Sequence, residues 1–410
     1  MRACVFTLGC KVNEVESASI MQGLRERGFE VTDELSYAEL YLINTCAVTA
    51  EAEKKSRQAI ARVKKCNPSG RVLVLGCAAE HSAEAFREKG VSLVTGAMRK
   101  DKIFELLASE GIFREAEDVF CELPAPARTK TRAFLRIQDG CNRFCSYCLI
   151  PYLRGRTRSR SAGSVLREAR DTRAKEIVLT GIDITSYQDG DTDLGALLLL
   201  LKDIPARIRL GSVEPSLITR EFLEKMRTAG NVVPHFHLSL QSGSSAVLRA
   251  MNRHYTREEY LEKCALVYEY FPDAAITTDI IVGYPTETEA DFEASLAIVE
   301  DAGFSRVHAF PFSPREGTNA FKLKDLPAKI KRERMGRMLE AAARAEEKYI
   351  ARFIGRERIA LFEEDGGYTE NYLRVYAEGA REGGLYRVRL TERTGDGVRA
   401  EIIEEIERER

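Results

Sequence analysis

The chain has 410 residues, of which 44% are hydrophobic and 30% charged, and its formal net charge is -1. This length exceeds one ordinary hydrophobic core, so we expect two or three domains. The nearly balanced charge excludes a global attraction to nucleic acid or membrane, so any such affinity must be local. The longest aliphatic run, residues 197–201, is too short to cross a bilayer. The first residues do not resemble a signal peptide, and we expect a cytoplasmic protein without a membrane anchor.

Short β-rich runs alternate with stretches of helical period in the amino-terminal part of the chain. The runs are CVFTL, LYLIN, RVLVL and SLVT, and helices are predicted over residues 13–27 and 50–65. Such alternation is typical of βαβ units and predicts a doubly wound parallel sheet. The stretch FCELPAPARTKTR that follows has two prolines and a basic end, which is typical of a linker.

A second βα series begins near Ala133. Its strand-like runs are AFLRIQ, EIVLTG, RIRLGS, HFHLSLQ, AITTDIIVGY and SRVHAFPF. Six such repeats predict a (β/α) barrel or an open partial barrel, with function at the carboxyl ends of the strands. A charged helix is predicted over residues 328–353, and the tail then alternates with period two, which predicts a small antiparallel β-barrel. The class is therefore α/β, with domains expected over residues 1–120, 121–352 and 353–410.

Three cysteines, Cys141, Cys145 and Cys148, follow the first strand of this second series with the spacing C-x3-C-x2-C. Three thiolates can hold three irons of a [4Fe–4S] cluster and leave the fourth iron without a protein ligand. The open iron can chelate S-adenosylmethionine (SAM), whose reductive cleavage yields a 5′-deoxyadenosyl radical. Structural zinc with a remote fourth ligand and buried thiols are the alternatives. The position of the motif at the head of a six-fold βα series favours the radical chemistry.

The motif, its aromatic residue before the last cysteine and the predicted barrel resemble the radical SAM superfamily. The resemblance implies that the segments LTGID, GSVEP, LSLQSGS and TDIIVGYPTET bind SAM at the strand ends. The residues implied as cofactor-binding are Tyr147, Gly181, Ser212, Glu214, Gln241, Ser242, Ile281, Gly283 and Glu287.

A second set of cysteines, Cys10, Cys46 and Cys77, is dispersed in the sequence, but each member ends a predicted strand. The carboxyl ends of parallel strands share one edge of a sheet, so we expect the three thiols to meet there. They would then form a second site with an open iron. Three buried strand-end cysteines are the alternative, because free cysteine is often buried.

The strings LGCKVNEVES, INTCAVTAEAEKKSR and GCAAE closely resemble the amino-terminal domain of the methylthiotransferases. RGRTRSR, LQSGSSAVLRAMNR and a tail like a TRAM domain extend the resemblance to essentially the whole chain. The family implies an auxiliary [4Fe–4S] cluster on the second cysteine set. It also implies two SAM molecules, one to methylate a sulfur on that cluster and one to supply the radical, and an electron donor such as a flavodoxin or ferredoxin. The remaining cysteines, Cys4, Cys66, Cys121 and Cys264, are predicted to be structural thiols.

Within the family, TLGCKVNEVES and GYTENYLRV look most like the branch that acts on threonylcarbamoyladenosine. This resemblance implies methylthiolation at C2 of N6-threonylcarbamoyladenosine at position 37, in the anticodon loop of tRNA. Branches that modify isopentenyladenosine in tRNA or an aspartate of a ribosomal protein stay as alternatives. A radical SAM enzyme with one cluster and a non-catalytic, zinc-containing RNA-binding protein are alternatives from other classes.

Two groups of residues are candidates for RNA contact. The first is a comb of arginines at every second position, which in an extended chain would project to one face and contact phosphates, or would form a solvated or salt-bridged edge. Its members are Arg154, Arg156, Arg158 and Arg160. The second is a set of tail residues that would form a stacking surface or, alternatively, contribute aromatic rings to a core. These are Tyr368, Tyr372, Arg374, Tyr386 and Arg387.

Overall fold

A computed structural model describes residues 1–114, 119–126 and 131–406. The chain forms two compact units. The first comprises the described residues of 1–127, 136–160 and 313–322, and the second those of 128–135, 161–312 and 323–410. Residues 127–130 of the predicted linker lie outside the described residues. The predicted domain boundaries at residues 120 and 352 stay predictions.

The first unit is built on a six-stranded sheet of order β2-β1-β3-β4-β5-β6 in which each neighbouring pair is parallel. The strands are β1 (Arg2–Thr7), β2 (Glu30–Thr32), β3 (Leu40–Thr45), β4 (Arg71–Gly76), β5 (Leu93–Thr95) and β6 (Gly111–Phe113). The helices are α1 (Lys11–Glu26), α2 (Ala50–Cys66), α3 (Cys77–His81) and α4 (Ala83–Arg87). The predicted parallel sheet is confirmed. The short strands β2 and β6 extend it beyond the four predicted strands.

Both faces of this sheet are buried, which explains the nearly continuous hydrophobic runs of its strands. Along β3, Leu40 and Leu42 pack in one cluster with Ile20 of α1, whereas Tyr41 and Ile43 pack in a second cluster. Successive side chains of a strand point to opposite faces, so the two clusters cover the two sides of the sheet. Each fully buried aliphatic side chain stabilises the fold by about 1.5–3 kcal/mol. Burial on both sides fixes the strand register and, with it, the edge where the strands end.

The cysteine motif lies in a loop that is closed at its base. After β7 (Arg132–Arg136), strand β8 (Gln138–Asp139) pairs antiparallel with β9 (Arg158–Ser159), and the short helix α5 (Ile150–Leu153) lies between them. The Gln138 side chain donates hydrogen bonds to the carbonyl of Gly140 at 2.7 Å and to Oγ1 of Thr157 at 2.9 Å. One buried amide therefore ties together the two ends of the loop.

The second unit contains the predicted six βα repeats. Its strands run in the orders β13-β10-β7 and β14-β15-β16-β17, and β13 is separated from β14 by a single residue. The strands that follow β9 are β10 (Glu176–Thr180), β11 (Gln188–Asp189), β12 (Thr192–Asp193), β13 (Arg207–Leu210), β14 (Ser212–Val213), β15 (His235–Leu238), β16 (Ala275–Val282) and β17 (Arg306–Pro311). The helices are α6 (Ala162–Asp171), α7 (Leu194–Leu200), α8 (Arg220–Ala229), α9 (Ser245–Ala250), α10 (Arg257–Tyr270), α11 (Glu289–Asp301) and α12 (Ala328–Ala351). Among the described residues, no helix combines the length and apolar character needed to cross a membrane.

The tail forms a closed five-stranded barrel of order β18-β19-β20-β22-β21. Its strands are β18 (Glu357–Glu363), β19 (Gly366–Thr369), β20 (Arg374–Tyr376), β21 (Leu385–Arg393) and β22 (Val398–Glu405). The predicted small barrel is confirmed. It departs from a purely antiparallel arrangement where β20 pairs parallel with β22.

The aromatic and basic residues of the tail have partners within the second unit. The ring of Tyr372 stacks on His235 with centroids 4.2 Å apart, and Tyr386 is buried against Phe362. Arg374 forms an ion pair with Asp396 at 2.6 Å, and Arg387 forms one with Glu404 at 2.7 Å. Tyr368 stacks on Tyr372 with centroids 4.8 Å apart. The structure thus favours packing for Tyr372 and Tyr386, whereas Arg374 and Arg387 form ion pairs at the surface.

A buried carboxylate organises the base of the second unit. Glu176 is completely buried and pairs with Arg132 at 2.6 Å, with Arg209 at 2.9 Å and with Arg207. Arg207 and Arg209 also donate to backbone carbonyls of the tail barrel, at Tyr368 and Thr369 respectively. The Glu176 carboxylate therefore holds Arg207 and Arg209, the two arginines of β13 that bind the tail barrel.

We expect Glu176→Gln to lower the free energy of unfolding by about 3–5 kcal/mol, because it leaves buried guanidinium groups without their counter-charge. Urea unfolding followed by circular dichroism measures this loss. The matched control is Glu269→Gln, which breaks an ion pair between two exposed side chains, Arg220 and Glu269. The control is expected to leave stability unchanged. Equal stabilities of the two variants would contradict the role given to Glu176.

Candidate metal centres

Three cysteines follow the carboxyl ends of neighbouring strands of the first unit. Cys46 directly follows β3, Cys77 directly follows β4, and Cys10 stands at the amino end of α1, just beyond β1. Because β1, β3 and β4 are adjacent and parallel, these residues share one edge of the sheet, as the sequence predicts. Cys46 and Cys77 are buried, whereas Cys10 is exposed.

Glycines turn the chain immediately before two of these cysteines. Gly9 has φ +112° and Gly76 has φ +101°, values that glycine adopts readily and other residues rarely do. A Cβ atom added at Gly9 would lie 2.5 Å from Cβ of Cys46 and 2.8 Å from its Sγ. The missing side chain lets the backbone that leads to Cys10 approach the Cys46 thiol.

The three thiols influence one another electrostatically. Burial raises the pKa of Cys46 to about 11, and the neighbouring Cys77 and Cys10 add to the rise. Desolvation by the surrounding protein also raises the pKa of Cys10, although the residue keeps exposed surface, and the Arg154 guanidinium opposes this rise. Thiolates are the ligands of iron–sulfur clusters, so the chemistry of these three donors, but not their placement in this structure, suits a cluster held by three cysteines.

Arg154 is completely buried and contacts four residues from three segments of the first unit. Its Nε lies 3.3 Å from Sγ of Cys77. Its Nη1 lies 2.9 Å from Oε1 of Glu16 and 3.0 Å from Oδ1 of Asp139, and its Nη2 lies 3.0 Å from Oδ1 of Asn13. Asp139 also accepts a hydrogen bond from the amide of Gly140, directly before the C-x3-C-x2-C motif. One guanidinium thus connects Cys77 to the base of the motif loop.

Further cations surround the same two carboxylates. Arg136 pairs with Glu16 at 3.1 Å and with Asp139 at 3.4 Å, Lys100 pairs with Glu16, and Arg158 pairs with Asp139 at 3.4 Å. Counted over the described part of the chain, this ion network contains four cations and two carboxylates. It therefore carries a formal excess of positive charge in the protein interior.

The network holds both carboxylates ionised. Burial alone would raise the pKa of Glu16, but Arg154, Lys100 and Arg136 lower it below its ordinary range. Burial acts on Asp139 in the same direction, and Arg154 and Arg136 again lower the pKa.

The members of the arginine comb do not share one exposed face, and the ion pairs of the buried members agree with the salt-bridged alternative. Arg154, Arg158 and Arg160 are buried, and Arg156 is the exposed member. Only Arg158 and Ser159 form a strand in this stretch, because α5 and a turn precede them, so the alternation of an extended chain is lost. Arg160 pairs with Glu122 at 3.1 Å. The buried members therefore serve the interior of the first unit.

Backbone hydrogen bonds order the motif loop. The Cys141 amide donates to the carbonyl of Gly155 at 3.1 Å, and the Cys148 amide donates to that of Cys145 at 2.9 Å. All three motif cysteines are half-buried. In the residues that the structure describes, no three or more His, Cys, Asp or Glu side chains are arranged to hold a metal ion as placed. The ligand roles of the six cysteines stay predictions.

The residues predicted to bind SAM at the later strand ends lie in the second unit. Gln241 has φ +77°, its amide donates to the carbonyl of Asp279 at 2.8 Å, and its carbonyl accepts from the amide of Ile281 at 2.9 Å. Ser242 is completely buried beside Ser295. These two strand ends therefore hold each other through backbone contacts.

The turn after β16 is fixed by a carboxylate. Oε1 of Glu287 accepts from the amide of Gly283 at 2.9 Å and from Arg334 at 2.7 Å. Glu214 pairs similarly with Arg253 at 2.7 Å, whereas Ser212 is exposed and Gly181 half-buried. Glu287 and Glu214 thus have partners that fix their loops, and a SAM contact for any of these residues, or for Tyr147, stays a prediction.

Sequence reasoning missed Glu16, Asn13 and Asp139 as parts of the site. Asn13 and Glu16 are three residues apart on α1 and therefore on one face of the helix. Both residues belong to the string LGCKVNEVES. Two polar residues on one helix face, directly after a strand-end cysteine, could therefore have indicated that they belong to the site.

Three of the four cysteines predicted to be structural thiols are buried. Burial raises the pKa of Cys121 to about 11 and that of Cys264 to about 12. Cys4 is also buried and Cys66 is half-buried.

Two segments of the chain match models of known protein families. Residues 135–299 match the Radical SAM superfamily, and residues 2–96 match "Uncharacterized protein family UPF0004". The Threonylcarbamoyladenosine tRNA methylthiotransferase MtaB of Bacillus subtilis (strain 168) is 36% identical, over 94% of this chain and 92% of the relative. The tRNA-2-methylthio-N(6)-dimethylallyladenosine synthase of Staphylococcus aureus (strain Newman) is 31% identical, over 98% of this chain and 85% of that protein.

A solved structure shows the same fold at low sequence identity. The radical S-adenosylmethionine methyltransferase TsrM from Kitasatospora setae matches with a TM-score of 0.57 and 14% identity, over 76% of this chain and 74% of that chain. Membership of the radical SAM superfamily implies SAM and a [4Fe–4S] cluster as cofactors. With relatives of this identity and coverage, the chain belongs to the radical SAM methylthiotransferase family of transferases.

Proposed function

We propose that this protein methylthiolates C2 of N6-threonylcarbamoyladenosine at position 37 of tRNA, using SAM and two [4Fe–4S] clusters. The observation that carries the proposal is the 36% identity over 94% of the chain to a relative named for threonylcarbamoyladenosine tRNA. Four relatives with that name are 33–37% identical, whereas the Staphylococcus aureus relative named for the dimethylallyladenosine reaction is 31% identical. Action on tRNA, together with reduced thiols, suits the cytoplasm.

The six cysteines have two separate tasks in this proposal. Cys141, Cys145 and Cys148 hold the cluster at which SAM binds, and the cysteines at the edge of the parallel sheet hold the auxiliary cluster. The bound cofactors supply reductive cleavage of SAM to a radical and delivery of a methylated sulfur. The chain orders the ligands: the motif loop is fixed by Gln138 and by its own backbone bonds. An electron donor such as a flavodoxin or ferredoxin completes the reaction.

The strand ends of the second unit are the proposed SAM contacts. Because Glu287 accepts from both the Gly283 amide and Arg334, the loop after β16 presents its backbone in one conformation. At the neighbouring strand end, the backbone hydrogen bonds of Gln241 to Asp279 and Ile281 likewise fix the chain in one conformation. Preorganised backbone groups suit recognition of the adenosyl and methionyl parts of a cofactor, because they lose little freedom on binding.

An exposed aromatic and basic surface beside the motif cysteines supports an RNA substrate. The guanidinium of Arg156 lies 4.6 Å from the ring centroid of Phe144, and Tyr152 packs edge-on against Phe144 with centroids 5.5 Å apart. Tyr152 keeps 55% of its surface exposed, and Arg156 is exposed as well. Unstacked bases of RNA loops are recognised by aromatic rings and guanidinium planes.

Within this proposal, the first prediction separates the two cysteine sets. Replacing Cys141, Cys145 and Cys148 by Ala should leave one cluster and abolish SAM cleavage. Replacing Cys10, Cys46 and Cys77 should also leave one cluster and should preserve cleavage of SAM to 5′-deoxyadenosine, without methylthio product. Iron and sulfide content and chromatography of the cleavage products, both on anaerobically reconstituted protein, measure these outcomes.

Cys66→Ala is the matched control, since it removes a half-buried thiol of the same unit outside both sets. It should retain the full iron and sulfide content. A full complement in either triple variant would show that the ligand assignment is wrong.

The second prediction concerns RNA contact by the exposed arginine. Arg156→Gln should weaken tRNA binding and reduce the slope of log K against log salt by about one, because one phosphate contact is lost. Filter binding at several salt concentrations measures both quantities. Arg25→Gln is the control: Arg25 is exposed at the carboxyl end of α1, which places it at the opposite edge of the sheet from the cysteines. Equal effects of the two substitutions would count against Arg156.

The third prediction identifies the substrate. Reconstituted protein with SAM, a reductant and a sulfur source should methylthiolate threonylcarbamoylated tRNA much faster than tRNA with unmodified adenosine, because the carboxylated group offers additional differential binding. Isopentenylated tRNA and ribosomal protein serve as the competing substrates, with nucleoside and peptide mass spectrometry as the readout. Product on either competitor, with none on threonylcarbamoylated tRNA, would reject the substrate assignment and retain the family.

A further inference from the structure

We propose that Arg154 is a positioning residue that acts through Cys77: its Nε–H donates a hydrogen bond to the Cys77 sulfur within the auxiliary cluster and raises the reduction potential of that cluster. The inference rests on the proposed function, in which Cys77 is a cluster ligand. In this inference Arg154, a buried member of the comb, binds the Cys77 sulfur and does not contact RNA.

The orientation of the guanidinium carries the argument. Nε lies 3.3 Å from Sγ of Cys77, while Nη1 and Nη2 are held by Glu16, Asp139 and Asn13. These partners fix the plane of the group, so the Nε–H cannot turn away from the sulfur without breaking buried hydrogen bonds. The side chain is 0% exposed, so water does not compete for this donor.

The charge of the ion network supports the same role. Among the described residues, Glu16 and Asp139 are outnumbered by the four cations that surround them. Buried charge without compensation is costly, and an anionic set of thiolate and sulfide ligands next to Arg154 offsets the excess. Hydrogen bonds to the sulfurs of a cluster raise its potential, because the reduced state is the more negative one.

Another arginine provides a matched comparison. Arg136 pairs with Glu16 and Asp139 and is similarly buried, but its other bond goes to the backbone carbonyl of Cys121. A lysine at either position keeps the positive charge. Only the change at Arg154 removes a donor to the Cys77 sulfur, so the two lysine variants separate the hydrogen bond from the charge.

The experiment uses the full chain with Cys141, Cys145 and Cys148 replaced by Ala, so that only the auxiliary cluster is present. The protein is labelled with 15N-arginine, the cluster is reduced, and pulsed EPR is used to detect 15N coupling to the cluster. We expect a coupling in this parent and in the Arg136→Lys variant, and its loss in Arg154→Lys. EPR-monitored redox titration should give a lower midpoint potential for Arg154→Lys than for the other two proteins.

The parent protein alone decides the inference if Arg154→Lys does not fold. A cluster without arginine coupling in the parent would overturn the role of Arg154 and leave the proposed function standing. An equal potential shift in both lysine variants would also overturn it, since a general disturbance of the ion network would then be the cause. Absence of iron in the parent would overturn the proposed two-cluster function and, with it, this inference.

Discussion

The first unit depends on keeping several charges buried around Glu16 and Asp139. Moving an ion from water into a protein interior costs several kcal/mol, so such a cluster persists only when each group has well-placed partners. Arg154 meets that condition with contacts to Glu16, Asp139 and Asn13, and it brings together the helix after β1, the start of α3 and the base of the motif loop. The cations outnumber the carboxylates within the described network. Sγ of Cys77 lies 3.3 Å from Nε of Arg154, so a thiolate at this position offsets part of the excess, and the charge of the interior is linked to the chemistry of the sheet edge.

Local patterns predicted the elements that carry the fold. Hydrophobic runs separated by helical stretches predicted β1, β3, β4 and β5, and the period-two tail predicted a barrel, because side-chain periodicity follows directly from backbone geometry. The three-residue strands β2 and β6 were not predicted, since so short a run carries no periodic signal. The common edge of the strand-end cysteines was predictable from topology alone. It required only that β1, β3 and β4 be parallel neighbours, which the sheet confirms.

The burial of Arg154 was not predictable in the same way. The alternating arginines of RGRTRSR form the same sequence pattern whether their side chains face water or pair with buried carboxylates. Whether Arg154 is buried depends on contacts with residues far away in the sequence: Glu16, for example, precedes Arg154 by 138 residues in the chain. The sequence of the tail was similarly insufficient to predict the surroundings of its tyrosines. The tyrosine pattern allowed either a stacking surface or a core, and the choice depends on His235, which lies far away in the sequence and against which Tyr372 stacks. Charge and aromaticity identify residues that need partners, whereas the fold determines which partners they receive.

These outcomes change where RNA recognition has to be sought. With a net charge of -1, the chain has no overall field to attract a polyanion, so binding must come from local cations and stacking surfaces. Three members of the arginine comb are withdrawn into the interior, and Arg374 and Arg387 of the tail are paired with carboxylates. Arg156 is exposed and lies over Phe144, in the segment that carries the motif cysteines. With Arg156 as the one exposed cation of the comb, this segment offers a modest electrostatic contribution to affinity. Under the proposed function, selectivity then comes mainly from the shape and chemistry of the modified base, which suits recognition of one nucleotide in a single-stranded loop.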